Sequence, residues 1–317
     1  MIAFVVARFA QAIPVVVLTS IAIFFFIRLI PGDPAVSIAG LNATPDQVEA
    51  LRHRYGLDRP LAGQYLTWVG RMARGDFGTA YASQQPISAL ILSRLPATLE
   101  LAVGAMIITL GIGVPLGIVS AVRPYHPFSQ AVTLFNAIAI ATPTFWLGIL
   151  LVLLFGVRLK WLPPSGYAGI TDEPVSSLKF LVLPSLTLGT VGSAILIRFL
   201  GASVAEALGA DYVRTAHAKG LPERRVISAH VLKNALPPVI TVMAVQFGYL
   251  LGGAVITEAI FGWPGLGRLM LDAIKAREYL IIQGTMLVFV ITFIVINVLA
   301  DVSYALVNPR IRTVARS

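Results

Sequence analysis

Six long apolar stretches alternate with more polar segments along the chain. Each approaches or exceeds the roughly 20 residues that a helix needs to cross about 30 Å of hydrocarbon, and few charged residues lie inside them. Because lipid offers an open backbone no hydrogen-bond partner, we expect every stretch to be helical. The predicted spans are Phe9–Ile30, Leu99–Val122, Ala131–Val157, Phe180–Ile197, Ala235–Thr257 and Leu280–Ala300.

Composition supports a membrane protein. The chain has 317 residues, of which 57% are hydrophobic and only 12% are charged, whereas a soluble domain carries roughly 25% charged residues. The first stretch exceeds the roughly 7–15 apolar residues of a signal peptide, so we expect it to remain as a helix. The predicted fold class is an all-α integral membrane protein with about six transmembrane helices.

The basic residues predict an orientation. The segment Arg198–Asn234 is rich in arginine and lysine, and an even number of spans places it on the same side as both termini and the turn after Val122. The positive-inside rule identifies that side as the cytoplasm. The segment of residues 31–98, here called the long loop, exceeds the length for which the rule holds, so we expect it on the outside. The other basic residues behind this prediction are Arg8, Arg123, Arg310, Arg312 and Arg316.

The long loop carries the signals of folded structure. Thr44–Gln47 reads as a capping box with proline at the first helical position, and Gly56 is suited to end that helix. A second helix is predicted over Pro60–Arg74, ending at Gly75. One of its faces is expected to lie on the membrane or on a partner, through Gln64, Tyr65, Trp68 and Met72.

Several kinds of chemistry lack the residues that they need. The chain has no cysteine, which excludes disulfides and thiolate metal sites, and its four histidines are not spaced for a metal. The glycine-rich segment Gly262–Gly267 lacks the Lys-Ser/Thr pair of a phosphate loop. The net charge of +9 is explained by the positive-inside rule, and no basic run with interleaved aromatics points to nucleic acid. If transport is ATP-driven, another polypeptide must hydrolyse the ATP.

Polar residues inside the spans are few. They either line a transport path or form hydrogen bonds between helices, and both interpretations stay open. The spans hold no Asp, Glu or Lys at mid-membrane, which argues against an ion-coupled carrier. Gly113 and Gly117 predict close helix packing, while Pro115, Pro143 and Pro184 are candidate kinks. The candidate path residues are Asn136, Thr142, Gln246 and Asn297.

The segment between the fourth and fifth spans predicts a helix–turn–helix, here called the elbow (residues 211–236). Asp211 is suited to cap a short helix, which Gly220 ends. A second helix is predicted from Leu221-Pro222-Glu223 to Leu236-Pro237. A simple connection needs far fewer residues, so the elbow is interpreted as a docking surface, the alternative being a solvated basic loop.

Specific motifs resemble one family. Residues 211–216 (Asp-Tyr-Val-Arg-Thr-Ala) and 218–221 (Ala-Lys-Gly-Leu) are similar to the cytoplasmic loop of ABC-importer inner-membrane permeases, in the dipeptide/oligopeptide/nickel/glutathione branch. The motifs Pro31–Pro34, Gly56–Leu61, Gly75–Gly78, Phe261–Gly267 and Val307–Arg310 extend the resemblance over nearly the whole chain. Arg214-Thr215-Ala216 departs from the Glu-Ala-Ala of the wider superfamily, and His217 replaces an expected arginine.

The resemblance implies a fold, partners and a function. It implies a type I ABC-importer permease of the bacterial inner membrane, with a second homologous permease, two ATP-binding subunits and a substrate-binding protein as partners. ATP and Mg²⁺ would bind to the ATPase subunits, so this chain would be no enzyme and hold no cofactor. The substrate would be a short peptide, glutathione or a nickel chelate, with an ion-coupled carrier or a membrane scaffold as other classes.

The resemblance also assigns a site and a domain division. The implied units are residues 1–97 (first helix and outer loop), 98–309 (permease core with the coupling loop 203–235) and 310–317 (cytoplasmic tail). The first helix of the elbow would be the coupling helix that docks on the ATPase. The residues implied in coupling are Asp211, Tyr212, Arg214, Thr215, Ala216, Lys219, Gly220 and Leu221.

Overall fold

The computed structural model describes residues 2–29, 34–39, 43–54 and 56–307, and the regular structure in these ranges is helical apart from one bridge between Thr79 and Pro86. Ile30, Pro31–Asp33 and the predicted tail 310–317 lie outside the described residues, as do Asn308–Arg310. The helices are α1 (Ile2–Arg28), α2 (Pro34–Ala39), α3 (Pro45–Arg54), α4 (Leu61–Met72), α5 (Ile87–Val122), α6 (Pro127–Ala141), α7 (Thr144–Leu151), α8 (Pro174–Leu208), α9 (Asp211–Ala218), α10 (Glu223–Val226), α11 (Leu232–Phe261), α12 (Leu266–Ala276) and α13 (Tyr279–Val307).

Five of the described helices are long and apolar enough to cross a membrane, namely α1, α5, α8, α11 and α13. The pair α6 and α7, extended to Arg158 by a wide π-helical turn, makes a sixth span if it is counted as one. The prediction of about six spans is therefore confirmed, with the third span broken.

The break in the third span lies at Thr142 and Pro143, where the two halves meet at 106°. Pro143 has no N–H to continue α6, and its ring disfavours helical backbone at the preceding residue. Thr142 accordingly has extended torsions (φ −83°, ψ 121°). Pro115 and Pro184 instead lie inside the continuous helices α5 and α8, so neither ends a helix.

Two helices extend well beyond their apolar stretches. The second span was predicted from Leu99, but α5 begins at Ile87, and α8 runs from Pro174 to Leu208 rather than over Phe180–Ile197. The additional turns are held by packing, as the complete burial of Ile87 shows. A domain boundary after residue 97 falls within α5, so the first unit and the core share this helix.

The centre of the fold is a seam between α5 and α8 lined by small residues. A Cβ added to Gly113 would lie 2.7 Å from the Leu196 side chain, and one added to Gly189 would lie 2.7 Å from Ile108. Thr109 donates its hydroxyl across the seam to the Gly189 carbonyl oxygen at 3.3 Å. The two helices therefore approach as closely as glycine permits, which confirms the close packing predicted at Gly113.

The long loop is folded from its first described helices onward. The capping box is present: the Gln47 amide donates to Thr44 Oγ1 at 3.4 Å, and the Thr44 amide donates to Gln47 Oε1 at 3.0 Å. Gly56 follows α3 with φ +64°, as expected of a residue that ends a helix. Before α5, Arg71 donates a hydrogen bond to Asp76, and this contact lowers the pKa of the Asp76 carboxyl.

The predicted face of α4 lies on α1 of the same chain, which corrects the expectation of a membrane or partner contact. Tyr65 and Trp68 pack on Phe24, with ring centroids 5.3 and 5.8 Å apart. The Tyr65 hydroxyl and Ser20 Oγ are 2.9 Å apart. Aromatic rings in mutual contact bury large areas, so this cluster attaches the long loop to the first span.

Candidate functional site

The elbow is attached to the membrane-spanning core through one face of α9. Val213 and Ala216, three residues apart and therefore on the same face, are 1% and 4% exposed. They join a buried cluster with Val204 of α8, Val226 of α10 and Val239 of α11. This packing fixes α9 against the ends of two core helices.

The opposite face of α9 is open to solvent. The side chains of Asp211 and Arg214 are 94% and 77% exposed, and their 3.4 Å ion pair contributes little at such exposure. Tyr212 presents an aromatic ring that is 40% exposed. Thr215 and Lys219 are also exposed. Five of the predicted coupling residues thus form an accessible face, whereas Ala216 anchors the helix.

The turn after α9 has the geometry predicted for glycine. Gly220 adopts φ +73°, and its amide donates to the His217 carbonyl oxygen at 2.9 Å. The Leu221 amide donates to the Ala216 carbonyl oxygen at 3.3 Å, which completes a Schellman motif. Leu221 then packs against the buried cluster, so the turn is closed on both sides.

Two details of the elbow differ from the prediction. Ala210 occupies the N-cap of α9, so the predicted capping by the Asp211 side chain is wrong. Asp211 lies in the first turn instead, where its carboxylate complements the helix dipole. The second helix does not end near Leu236: α10 passes through a π-helical turn, Ile227–Val231, into α11. The wide turn keeps the backbone helical, so the elbow is continuous with a span.

The candidate path residues lie on three helices: Asn136 is in α6 and Thr142 at its end, Gln246 is in α11, and Asn297 is in α13. Two of them bind their own helix: the Thr142 hydroxyl donates to the Ile138 carbonyl oxygen at 2.7 Å, and Asn297 Nδ2 donates to the Phe293 carbonyl oxygen at 2.8 Å. Gln246 on α11 is only 5% exposed. Among the described residues, no hydrogen bond joins any two of the four candidates, and the side-chain oxygen Oδ1 of Asn136 on α6 is buried without a hydrogen-bond partner.

Sequence reasoning missed two buried glutamates. Glu258, one residue past the predicted end of the fifth span, is fully buried, and Glu278 is 5% exposed. They lie just before and just after the segment that contains α12. Glu258 stands just past an apolar stretch and Glu278 just before the next one, so a search for carboxylates at mid-membrane passes over both.

The ends of α5 separate the elbow from the long loop. This helix has 36 residues and so spans about 54 Å. Its first residue, Ile87, lies within the long loop, while Val122 at its other end packs against the buried cluster of the elbow. The elbow and the long loop therefore lie at opposite ends of the core.

Comparisons with known proteins cover nearly the whole chain. Residues 113–313 match the family described as binding-protein-dependent transport system inner membrane component. Residues 1–102 match the corresponding N-terminal family of membrane components. A putative peptide transport system permease protein of Brucella abortus (strain 2308) is 41% identical over 312 residues, covering 98% of this chain and 99% of the relative.

A second relative is similar over almost the full length of the chain, and two solved structures have a similar fold. The glutathione transport system permease protein GsiC of Escherichia coli (strain K12) is 41% identical over 313 residues, covering 98% and 99% of the two chains. The inward-facing MetNI methionine ABC transporter is similar with a TM-score of 0.56 and 17% identity, over 69% of this chain and 96% of that one. An amino acid ABC transporter with histidines gives a TM-score of 0.52 and 15% identity, over 68% and 94%. At these identities the solved structures support the fold.

Proposed function

The chain belongs to the family of binding-protein-dependent transport system inner membrane components, and on this premise we propose that it forms half of the path by which an ATP-driven importer takes up short peptides. A second, homologous permease supplies the other half. Two ATP-binding subunits drive the cycle, and a substrate-binding protein delivers the peptide from outside.

The substrate class rests on the relatives. One is named for peptide transport and another for glutathione, and both align with the present chain over almost its full length. Glutathione is itself a tripeptide, so a short peptide describes both. Glutathione is thus the second candidate substrate.

The single observation that carries the coupling role is the two-sided character of α9. Val213 and Ala216 fix one face to the core, while Tyr212, Arg214 and Thr215 remain exposed on the other. A helix held so firmly transmits a push from a docked protein into α8 and α11 rather than absorbing it. Closure of the ATP-binding subunits would then switch the path between two states.

The proposed coupling role also requires a particular orientation in the membrane. The elbow lies in the cytoplasm, where ATP is found, and both termini lie on that side. The excess of arginine and lysine in the elbow supports this arrangement. The long loop, at the other end of α5, then faces the outside and the binding protein.

The broken third span supports a path near Thr142. Non-helical backbone at membrane depth is tolerated only where protein covers it or where it lines a water-filled cavity. The 106° bend creates such backbone, and Pro143 makes no side-chain cap for α7. We place Asn136 and Thr142 beside the path on this ground, with Gln246 on α11 and Asn297 on α13 as the other candidates.

Reconstitution tests this function. The chain is purified with its partner permease and ATP-binding subunits and placed in vesicles that contain ATP, with the binding protein and a radiolabelled dipeptide outside. Uptake should require ATP hydrolysis and persist when a protonophore collapses the ion gradient. Uptake that needs the gradient and not ATP would identify an ion-coupled carrier, while preference for labelled glutathione would identify the second candidate.

A further inference from the structure

Two buried carboxylates flank α12. Glu258 lies in the last turn of α11 and Glu278 lies two residues after α12 ends. In the part of the chain that the structure describes, neither forms an ion pair. Burying a carboxylate is costly unless hydrogen bonds compensate it, so the donors around each one identify what it holds.

Glu258 holds the N-terminal end of α12 to α5. Its Oε1 accepts a hydrogen bond from the Thr98 hydroxyl of α5 at 2.7 Å, and its Oε2 accepts one from the Arg268 amide at 2.9 Å. The same Thr98 oxygen accepts a hydrogen bond from the Leu266 amide at 2.7 Å. A Cβ at Gly265 would collide with the carboxylate, so glycine is needed for this approach.

A tryptophan strengthens the same junction. Trp263 is fully buried and donates its indole N–H to the Ala97 carbonyl oxygen of α5 at 2.7 Å. Its ring packs edge-on against Tyr167 at a centroid distance of 4.8 Å. Tyr167 in turn donates its hydroxyl to Glu100 of α5 at 3.1 Å. The segment around the start of α12 is thus attached to α5 directly at Ala97 and Thr98, and through Tyr167 at Glu100.

Glu278 holds the other end of α12 to the hairpin that precedes α5 (residues 78–87), whose two arms meet at the bridge between Thr79 and Pro86. Its Oε2 accepts from the Tyr81 amide at 2.8 Å, and its Oε1 accepts from the Ala82 amide at 2.6 Å. The hairpin closes on itself because the Ile87 amide donates to the Gly78 carbonyl oxygen at 2.9 Å. Since Ile87 is also the first residue of α5, this end of α12 is tied to the start of the same helix.

We propose that Glu258 and Glu278 are positioning residues that clamp α12 along the first four turns of α5, so that the hairpin, α12 and α5 move as one body at the long-loop end of the transporter. The importance of this movement rests on the proposed function. The seam between α5 and α8 links the clamp to the elbow, because α8 leads directly into α9. A displacement at the elbow would thereby reach α12 at the opposite end of the core.

The clamp is tested with labels and matched variants. The native chain has no cysteine, so spin labels can be attached to cysteines at Ser93 of α5 and Lys275 of α12, both exposed. Their distance distribution is measured in the assembled transporter, without nucleotide and with trapped ATP, beside uptake per ATP hydrolysed. The variants are Thr98→Val and Glu278→Gln, with Thr98→Ser as the conservative rescue and Asp272→Asn as an exposed carboxylate control on α12.

The unsubstituted protein should give one narrow distribution in both nucleotide states. Thr98→Val and Glu278→Gln should broaden the distance distribution and lower uptake per ATP. The unclamped fraction should rise about tenfold, because the loss of a hydrogen bond to a charged group shifts an equilibrium by about this factor. Thr98→Ser and Asp272→Asn should match the unsubstituted protein in both measurements. Basal ATP hydrolysis should persist in every variant.

Narrow distributions with unchanged uptake per ATP in both Thr98→Val and Glu278→Gln would overturn the clamp. If one of them does not assemble, the other decides, because the two act at opposite ends of α12. The distance measurement needs no peptide. Absence of peptide uptake by the unsubstituted protein would therefore refute the proposed function, while the distances would still decide on the clamp.

Discussion

Substitution of Gly220 by valine should uncouple ATP hydrolysis from uptake. Gly220 forms the turn after α9 with φ +73°, a torsion that residues with a Cβ rarely adopt. The turn closes the Schellman motif and directs Leu221 into the buried cluster of the elbow. If the turn opens, α9 loses its fixed angle to α10, and under the proposed coupling role a push from a docked ATPase would no longer reach the spans.

The magnitude follows from the backbone alone. No atom lies within 4 Å of a Cβ placed on Gly220, so a side chain there meets no steric obstacle. A left-handed torsion costs an ordinary L-residue roughly 1–2 kcal/mol, and asparagine tolerates it best. Such a cost lowers the ratio of formed to opened turn by a factor of about 5–30. The loss should therefore increase in the order Asn, Ala, Val.

The assay measures two rates in the same reconstituted vesicles. ATP hydrolysis stimulated by the loaded binding protein is recorded beside uptake of labelled peptide. The matched control is Gly209→Ala, because Gly209 has a φ of −76° and ordinary space around an added Cβ. Full coupled uptake by Gly220→Val would refute the reasoning, and so would equal losses in Gly220→Asn and Gly220→Val.

Three further outcomes are expected. Cysteines at Ser83 and Ser165 should react with an impermeant thiol reagent added outside intact cells, whereas one at Thr215 should react only after lysis; the reverse pattern would invert the orientation. Purified alone, the chain should hydrolyse no ATP above a mock preparation, and addition of the cognate ATPase subunits should restore hydrolysis; specific nucleotide binding by the isolated chain would contradict this. Gly113→Leu should destabilise the protein by roughly 1–3 kcal/mol in thermal unfolding, because its side chain overpacks the seam against α8. Gly111→Leu on the same helix has open space and should not, and equal losses would show that the seam is not the cause.

Much of the fold could be predicted because it depends on residues that are close together in the sequence. The capping box at Thr44 and the glycine turns at Gly56 and Gly220 depend on residues that are neighbours in the chain, and all three are present. The apolar stretches located the spans, because membrane insertion acts on each segment separately. Pro143 indicated where the third span breaks, although the sequence around it does not predict the angle of 106° between the two halves.

Contacts between distant segments could not be predicted. The bond between Glu258 and Thr98 joins residues 160 positions apart, and no local pattern pairs them. The turns of α5 before Leu99 are held by burial of Ile87 and Ile91 against other elements. Asp211 was misassigned for a different reason: an acidic residue satisfies both the N-cap and the first-turn preference, and the backbone of Ala210 decides between them.

The glycine-lined seam between α5 and α8 has a consequence for biogenesis. When α5 enters the bilayer its partner has not yet been made, since the roughly 90 residues that end with α8 are still to be translated. At 5–20 residues per second this interval is on the order of ten seconds. During it the glycine face of α5 lacks the helix that later packs on it, and the notch at Gly113 stays without the Leu196 side chain of α8. The core is therefore assembled late, as α8 leaves the insertion machinery, and a ribosome stalled before residue 208 leaves a nascent permease with its central helix unmatched.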